Sequence, residues 1–259
     1  MSEVGVLLFL LAGTLALRPY VFGFLLGFLL IAGREVGRRR ALAWLVVGFS
    51  VAFVAEYTST RIGFPFGLYG YTGITRDREL FVSNVPFFDP LSFPFLAYAS
   101  WCLARWGIGR RRAFATVALA GALMMLLDAV IDPLAVRGER WFLGHVFSYP
   151  AGGAYFGVPI SNFAGWWVVG SAIVAAFILL DSGKRGDAPG AGVGLYYAVV
   201  SFNLVLTAWI GEPVLLTVGL ALHVVAASAL WAGARARRNA GSQEGPALRS
   251  SPAPEAFES

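Results

Sequence analysis

The chain has 259 residues, a net charge of +5, a hydrophobic content of 58% and only 14% charged residues. Its mean hydropathy of +0.69 lies outside the range of soluble domains. The apolar residues occur in long blocks that approach the ~20 residues needed to cross hydrocarbon. We therefore predict a polytopic α-helical membrane protein.

The same composition excludes several classes of partner and site. The basic residues are confined to short clusters between apolar blocks, so they indicate topology and not a nucleic-acid partner. The single cysteine, Cys102, excludes internal disulfides and any site built from two cysteines. No spacing of His, Cys and carboxylate residues suits zinc, and no glycine-rich nucleotide motif is present. We predict no metal and no cofactor.

The apolar blocks divide the chain into a series of candidate spans. In chain order these lie near residues 4–17, 19–33, 41–59, 88–107, 113–133, 161–181, 193–211 and 213–233. Arg18-Pro19 either makes a hairpin between the first two spans or kinks one long helix, and Glu212-Pro213 leaves almost no loop between the last two. The predicted fold class is all-α, a membrane helix bundle of 7–8 transmembrane helices.

Clusters of basic residues between the spans predict the orientation of the chain in the membrane. They are Arg34, Arg38, Arg39 and Arg40; Arg105, Arg110, Arg111 and Arg112; Lys184 and Arg185; and Arg235, Arg237 and Arg238. These clusters fall in alternate connections, as expected if all are cytoplasmic. We predict a multi-pass protein of the cytoplasmic membrane with a cytoplasmic C-terminus. Residues 1–238 form one integral membrane domain, and 239–259 form a disordered cytoplasmic tail rich in small and polar residues.

Two connections on the predicted non-cytoplasmic side have an unusual composition. Segments 61–74 and 150–167 combine Gly and Pro, which break helices, with many aromatic residues. Irregular backbone at membrane depth survives only where protein covers it or where it lines a cavity. We expect both segments to fold back as capping loops over the helix bundle. The alternative is an aromatic belt at the lipid headgroups.

Acidic residues inside the apolar blocks are the candidates for chemistry. Glu56 closes one block, and Asp128 and Asp132 interrupt another at a spacing that places both on one helical face, roughly 6 Å apart. An ionisable side chain within a span costs about 3 kcal/mol and normally faces a functional cavity. Two such carboxyls cannot easily both ionise, so one holds a proton and can act as an acid. Alternatively, Asp132 ends its helix before Pro133 and Asp128 bonds a neighbouring helix.

Other polar residues of the spans have both structural and functional interpretations. Glu56 is either part of the site or paired with Arg61. Asp89 is either an N-cap or a catalytic residue, because Asp before Pro is a common helix start. Asn162 either orients a water molecule or lies beside a helix cap at Ser161. Two further polar residues are assigned interhelical hydrogen bonds and left out of the site. These are Asn203 and His223.

Three motifs carry a resemblance to a known family. The segments GFPFGLYGY (63–71) after Glu56, LLDAVIDP (126–133) and YFGVPISNFAGWW (155–167) resemble the membrane carotenoid 1′,2′-hydratases, a family that includes the bisanhydrobacterioruberin hydratases of archaea. The resemblance runs from about residue 40 to 235 in the same order and spacing. The chain departs from the family pattern at Asp89, where an apolar residue is expected, and near Phe93, where a Trp is expected. This departure argues against catalysis by Asp89.

The resemblance implies a hydro-lyase that adds water across the terminal C1′=C2′ bond of an acyclic carotenoid end, as in lycopene or γ-carotene. Its substrate reaches the site from the lipid bilayer, and membrane lipids are its other partners. Asp128 or Asp132 is the expected acid, with Glu56 or Asn162 positioning water. Seven aromatic residues of the two loop motifs are expected to line the substrate site. These are Phe66, Tyr69, Tyr71, Tyr155, Phe156, Trp166 and Trp167.

Three other functions are compatible with the sequence. A membrane carotenoid cyclase also protonates a polyene end, but the chain itself captures the cation. A proton-coupled small-molecule transporter uses intramembrane carboxylates as relays, although no inverted repeat is visible here. A carotenoid-binding protein would account for the aromatic residues but not for two acids on one helix face.

Overall fold

The computed structural model describes residues 2–109, 113–180 and 190–247, and these residues form an all-α bundle with four two-residue strands. The helices are α1 (Glu3–Leu17), α2 (Pro19–Ala32), α3 (Arg38–Ile62), α4 (Phe88–Ile108), α5 (Ala113–Ala135), α6 (Ile160–Leu180), α7 (Gly190–Trp209) and α8 (Pro213–Ala247). The strands are β1 (Gly70–Tyr71), β2 (Phe81–Val82), β3 (Val85–Pro86) and β4 (Phe147–Ser148). The predicted all-α class is confirmed.

Among the described residues, five helical segments are long and apolar enough to cross a bilayer. They are Pro19–Ile62, Ala113–Ala135, Ile160–Leu180, Gly190–Trp209 and Pro213–Asn239. The first contains both α2 and α3, which are separated at Gly37, where a φ of 94° leaves the helical range. The predicted number of seven or eight spans stays a prediction.

Helix α4 lies at the centre of the bundle. It packs against α2, α3, α5, α6, α7 and α8. Nearly all of its residues are buried, and the Trp44 indole of α3 donates to the Pro94 carbonyl oxygen at 2.9 Å. Gly48 of α3 lies directly against Pro94 and leaves no room for a larger side chain. Because α4 is surrounded by protein, polar groups at its ends face other helices and not lipid.

The two aromatic loops meet at one end of the bundle. Strand β1 pairs antiparallel with β4, with Gly70 opposite Ser148 and Tyr71 opposite Phe147. The first loop also packs on the start of α6, where a Cβ at Gly165 would lie only 2.7 Å from the Pro65 carbonyl oxygen. The loops therefore form a joined layer next to the helix ends, which is called the loop end below.

The opposite end of the bundle carries the described basic clusters. Glu35, between α2 and α3, accepts hydrogen bonds from the Ala191 amide at the start of α7 and from the Tyr98 phenol of α4, at 3.0 and 2.7 Å. Arg237 of α8 donates to the Trp106 carbonyl oxygen at the end of α4 at 2.6 Å. The α2–α3 junction, the end of α4, the start of α7 and the end of α8 therefore lie together.

Some predictions fall beyond the described ranges. The basic residues Arg110, Arg111, Arg112, Lys184 and Arg185 lie outside the described residues. Helix α8 continues past Arg238 to Ala247 and so enters the segment 239–259 that the composition predicts to be disordered. Residues 248–259 are not described, and disorder there stays a prediction.

Candidate active site

Four carboxyl groups from three helices converge at the loop end. Glu56 comes from α3, Asp89 from the start of α4, and Asp128 and Asp132 from α5. Three of them line a cavity of about 300 Å³, which is called the acid cavity here. The acid cavity is lined by Glu56, Phe66, Tyr69, Asp89, Asp132, Phe147, Tyr149, Asn162 and Trp166. Within the described ranges, no group of three or more His, Cys, Asp or Glu residues is arranged to hold a metal ion.

One side of the site is organised by the Asn162 amide. Its Nδ2 donates to Asp128 Oδ2 at 2.6 Å and to Asp132 Oδ2 at 2.8 Å, and Asp132 Oδ2 also accepts from the Tyr149 phenol at 3.2 Å. Asp128 and Asn162 are fully buried, yet Asp128 Oδ1 and Asn162 Oδ1 have no hydrogen-bond partner. Buried polar atoms are normally satisfied by protein or by ordered water. These two oxygens therefore suit a small hydrogen-bond donor.

The other side is organised by the Tyr71 phenol. Its hydroxyl lies 2.9 Å from Glu56 Oε2 and within short hydrogen-bond distance of Asp89 Oδ2, and the Tyr69 hydroxyl is 3.4 Å away. Burial raises the pKa of the Tyr71 phenol well above its usual range, and the neighbouring Asp89 and Glu56 carboxylates raise it further. The phenol therefore keeps its proton at neutral pH. With one proton, it cannot donate to both carboxyls at once.

A second and larger cavity of about 760 Å³ lies between α2, α4, α5 and α7 and is called the apolar cavity here. Aromatic rings form much of its wall: Tyr20 stacks on Phe202 at 5.3 Å between centroids, and Phe24 contacts Phe95 and Phe202 at 5.7 and 5.5 Å. Ser92 and Asn203 are among its few polar residues. Such a site suits a long apolar ligand with a small number of polar contacts.

The two cavities share part of their walls. Asp89, Asp132, Phe147 and Trp166 line both of them. Trp166 is buried and stacks on Phe93 of α4 at 4.5 Å with nearly parallel rings. A ligand in the apolar cavity therefore meets two carboxyl groups and two aromatic faces where the cavities adjoin.

Comparison with known proteins places the chain. Residues 5–230 match the family model described as carotenoid biosynthesis protein. The chain belongs to this family. It is 35% identical over 175 residues to the bisanhydrobacterioruberin hydratase of Haloarcula japonica, a match that covers 65% of this chain and 56% of that protein. The chain thus matches little more than half the length of this curated relative. No solved structure matches.

Eight of the predicted site residues of this carotenoid biosynthesis protein lie together at the loop end. They are Glu56, Phe66, Tyr69, Tyr71, Asp128, Asp132, Asn162 and Trp166. Three others are placed outside both cavities. Tyr155 bonds the Ala129 carbonyl oxygen and packs on Phe156, while Trp167 is 44% exposed and bonds the Ala118 carbonyl oxygen on the outer side of the bundle. Adjacent residues of a helix point in different directions, so Trp166 and Trp167 cannot share a pocket.

Two structural alternatives for the acids are wrong. Arg61 does not pair with Glu56, because its guanidinium stacks on Tyr57 and donates to Asn84 Oδ1 at 2.8 Å. Asp89 is not an N-cap, because Phe87 holds that position and the Asp89 carboxyl bonds Tyr71 instead. For Asp128, the predicted bond to a neighbouring helix is present, through Asn162 of α6.

The polar residues of the last two helices also differ from expectation. Asn203 bonds the Val199 carbonyl oxygen of its own helix at 2.9 Å and lines the apolar cavity, so the prediction of an interhelical bond is wrong. His223 is buried against Tyr196 and bonds the Leu126 backbone of α5, as predicted. Sequence reasoning also missed Phe147 and Tyr149, which lie just before segment 150–167 and outside the recognised motifs. The acid Asp89 was visible, but the family pattern argued against it.

Proposed function

We propose that this membrane protein is a carotenoid hydratase. It adds water across the terminal C1′=C2′ double bond of an acyclic carotenoid end and forms a tertiary alcohol. The family match and the hydratase named among its relatives support carotenoid chemistry. The cluster of buried carboxyls beside an aromatic cavity supports acid catalysis on an apolar substrate.

The proposed reaction has two steps. A neutral carboxylic acid gives its proton to C2′, and the π electrons of the double bond form the new C–H bond, which leaves a tertiary cation at C1′. Water then forms the C1′–O bond and loses a proton to a carboxylate. Trp166 and Phe147, which line both cavities, offer aromatic faces to the cation. Phe66, Tyr69 and Tyr71 complete the aromatic surroundings on the loop side.

The observation that carries the proposal is a pair of buried oxygens without hydrogen-bond partners. They lie in the group formed by Asn162, Asp128, Asp132 and Tyr149, which is called the Asn162 cluster here. Asp128 Oδ1 and Asn162 Oδ1 are buried, polar and without a protein donor. A water molecule supplies two donors and fits this need. A cyclase would instead exclude water, since the polyene itself captures the cation. We therefore assign Asn162, Asp128 and Asp132 to holding and deprotonating the attacking water.

In this proposal the apolar cavity is both the entry path and the binding site of the substrate. A long polyene is insoluble in water and enters laterally from lipid. Helices α2, α4, α5 and α7 surround a cavity whose aromatic walls match a conjugated chain, and one end of this chain then reaches Asp89 and Asp132. In the proposed orientation the two loops cap the site on the non-cytoplasmic side of the cytoplasmic membrane, and α8 ends in the cytoplasm.

Expression in bacteria that accumulate lycopene or γ-carotene tests the proposal. The extracted pigments are analysed by liquid chromatography and mass spectrometry, with protein amount in the membrane measured in parallel. A more polar pigment that is heavier by one water and has an unchanged chromophore spectrum is the expected result. An isomer of unchanged mass with a blue-shifted spectrum would indicate a cyclase instead. Unaltered pigments beside folded protein would contradict both enzymes.

A further inference from the structure

We infer that Asp89 is the proton donor to the double bond and that Tyr71 returns a proton to it from Glu56 after each turnover. This assignment rests on the proposed hydratase function and deepens it. It concerns the three groups that share hydrogen bonds on the loop side of the acid cavity.

The number of hydrogen-bond donors differs between the Asn162 side and the Tyr71 side of the acid cavity, and this difference distinguishes the proposed base from the proposed acid. The Asn162 amide has two N–H groups and contacts two aspartates, and the Tyr149 phenol adds a third donor at Asp132. Donors directed at a carboxyl stabilise its ionised form. Asp132 accepts from both groups and Asp128 from the amide alone, so Asp132 is the better provided of the two for the ionised form and the better suited to accept the proton that water releases.

The Tyr71 cluster, formed by Tyr71, Glu56 and Asp89, has fewer hydrogen-bond donors than contacts. The phenol has one proton but lies within hydrogen-bond distance of both Glu56 and Asp89. A second proton is needed for both contacts to be hydrogen bonds, and one of the two carboxyls must supply it. The Tyr69 hydroxyl can donate to the Tyr71 oxygen, but this contact supplies no proton between Tyr71 and either carboxyl. One carboxylic acid is therefore neutral in this cluster.

Position then selects Asp89 as the group that reacts. Asp89 lines both the acid cavity and the apolar cavity, whereas Glu56 lines only the acid cavity. A polyene end in the apolar cavity therefore reaches the Asp89 carboxyl but not that of Glu56. Asp89 gives its proton to the alkene carbon and becomes a carboxylate.

The geometry around Tyr71 also provides a path by which Asp89 is protonated again. Glu56 faces the acid cavity, where the captured water loses its proton, and receives that proton from the Asn162 side across the cavity. The Glu56 O–H proton then moves to the Tyr71 oxygen while the Tyr71 proton moves to Asp89. The phenol ends as it began, and the proton lost by Asp89 is replaced. Across the cycle one water is consumed and the carboxyl groups are unchanged.

Purified protein in lipid nanodiscs loaded with lycopene separates the two roles. Product is measured by rapid quenching and mass spectrometry in the first turnover and in later turnovers. Asp89→Asn is expected to slow the first turnover by ~10²–10⁴-fold. Glu56→Gln retains a donor to the Tyr71 oxygen but has no proton to give. It is expected to complete the first turnover close to the wild-type rate and then to slow by ~10-fold or more.

The matched control is Tyr98→Phe. Tyr98, in the middle of α4, donates to Glu35 of the α2–α3 junction at 2.7 Å, so this variant loses a phenol–carboxyl hydrogen bond outside both cavities. Its ratio of first to later turnovers should equal that of the wild type. Equal slowing of all turnovers in Glu56→Gln, or a normal first turnover in Asp89→Asn, would overturn the relay alone. Should Asp89→Asn fail to fold, Glu56→Gln decides the question. Absence of any hydrated pigment from the wild type would overturn the hydratase proposal and the relay with it.

Discussion

Buried acidic side chains occur in two parts of this protein, and their surroundings differ. Glu79, between β1 and β2, is fully buried beside the equally buried Arg18, with Oε1 2.9 Å from the guanidinium. Arg18 also donates to the Leu143 carbonyl oxygen at 2.8 Å, and Thr75 donates to Glu79. In the part of the chain that the structure describes, no cation forms such a pair with the four carboxyls of the candidate active site.

Under the proposed function, this difference distinguishes a structural acid from a reactive one. The pair of Glu79 and Arg18, with its further hydrogen bonds, holds the α1–α2 junction to the loops. The acids of the candidate active site share donors with one another, and one oxygen of Asp128 and one of Asn162 have no hydrogen-bond partner. The proposed mechanism requires protons to move among these acids in each turnover. Burial is the same in both places, so burial alone does not identify a catalytic acid.

The largest expected effect is on the rate of hydration. Asp132→Asn removes the proposed base but keeps an oxygen that accepts from Asn162 and Tyr149. The hydration rate should fall by ~10²–10⁴-fold, while the free energy of unfolding changes by only about 1 kcal/mol. Pigment analysis and thermal unfolding in detergent check both values. A loss of several kcal/mol in the free energy of unfolding would instead indicate that Asp132 has a structural role like that of Glu79.

The reverse result is expected for the structural pair. Arg18→Met leaves the Glu79 carboxylate buried and unpaired, which should lower the free energy of unfolding by ~3–5 kcal/mol. The double variant with Glu79→Leu removes both charges and should recover much of this loss. Thermal unfolding of the three proteins provides the measurement. Wild-type stability in Arg18→Met would show that the pair does not hold the loops.

Two adjacent tryptophans sharpen the comparison between cavity and surface. Trp166→Leu removes an aromatic face shared by both cavities and should slow hydration roughly tenfold or more. Trp167→Leu changes an exposed side chain and should alter the rate by no more than about twofold. Both variants are compared at equal amounts of folded protein. Similar losses in the two would mean that the outer face also contacts substrate.

The smallest expected effect concerns Glu212, a partly exposed acid paired with two cations. Burial acts to raise the pKa of Glu212, but hydrogen bonds from Arg140 and Arg137 and their positive charges together outweigh it and hold the pKa below its usual value. Its ionised form therefore stabilises the fold above the unfolded pKa of about 4.3, and this contribution disappears as the pH falls through the folded pKa. Glu212→Gln should cost less than about 1 kcal/mol at neutral pH. The difference from wild type in thermal unfolding should vanish in acid.

Much of the fold follows from local sequence. Apolar blocks bounded by Pro, Gly and basic residues predict the bounds of α1 to α7 to within a few residues, because block length and helix-breaking residues act locally. Helix α8 begins as predicted but extends from the predicted end near residue 233 to Ala247. The spacing of Asp128 and Asp132 also predicts their common helical face, since four residues make about one turn. Asn162 is a candidate from sequence because an amide at the start of an apolar span can orient a water molecule.

The chemical partners of these residues depend on tertiary contacts. Asp89 has the local sequence of a helix start, and only the pairing of β1 with β4 brings Tyr71 against it. Trp166 and Trp167 are adjacent residues of the same type in α6, and helix packing alone decides which one faces the cavities.

Sequence by itself therefore determined that this chain is a helical membrane protein with acids inside it, because hydrophobicity and helix periodicity are properties of neighbouring residues. The tertiary structure decided which acids meet a cation, which share a proton donor and which face the apolar cavity. Hydrogen bonds reach only about 3 Å, and no pattern along the chain reports which side chains from different helices come within that distance.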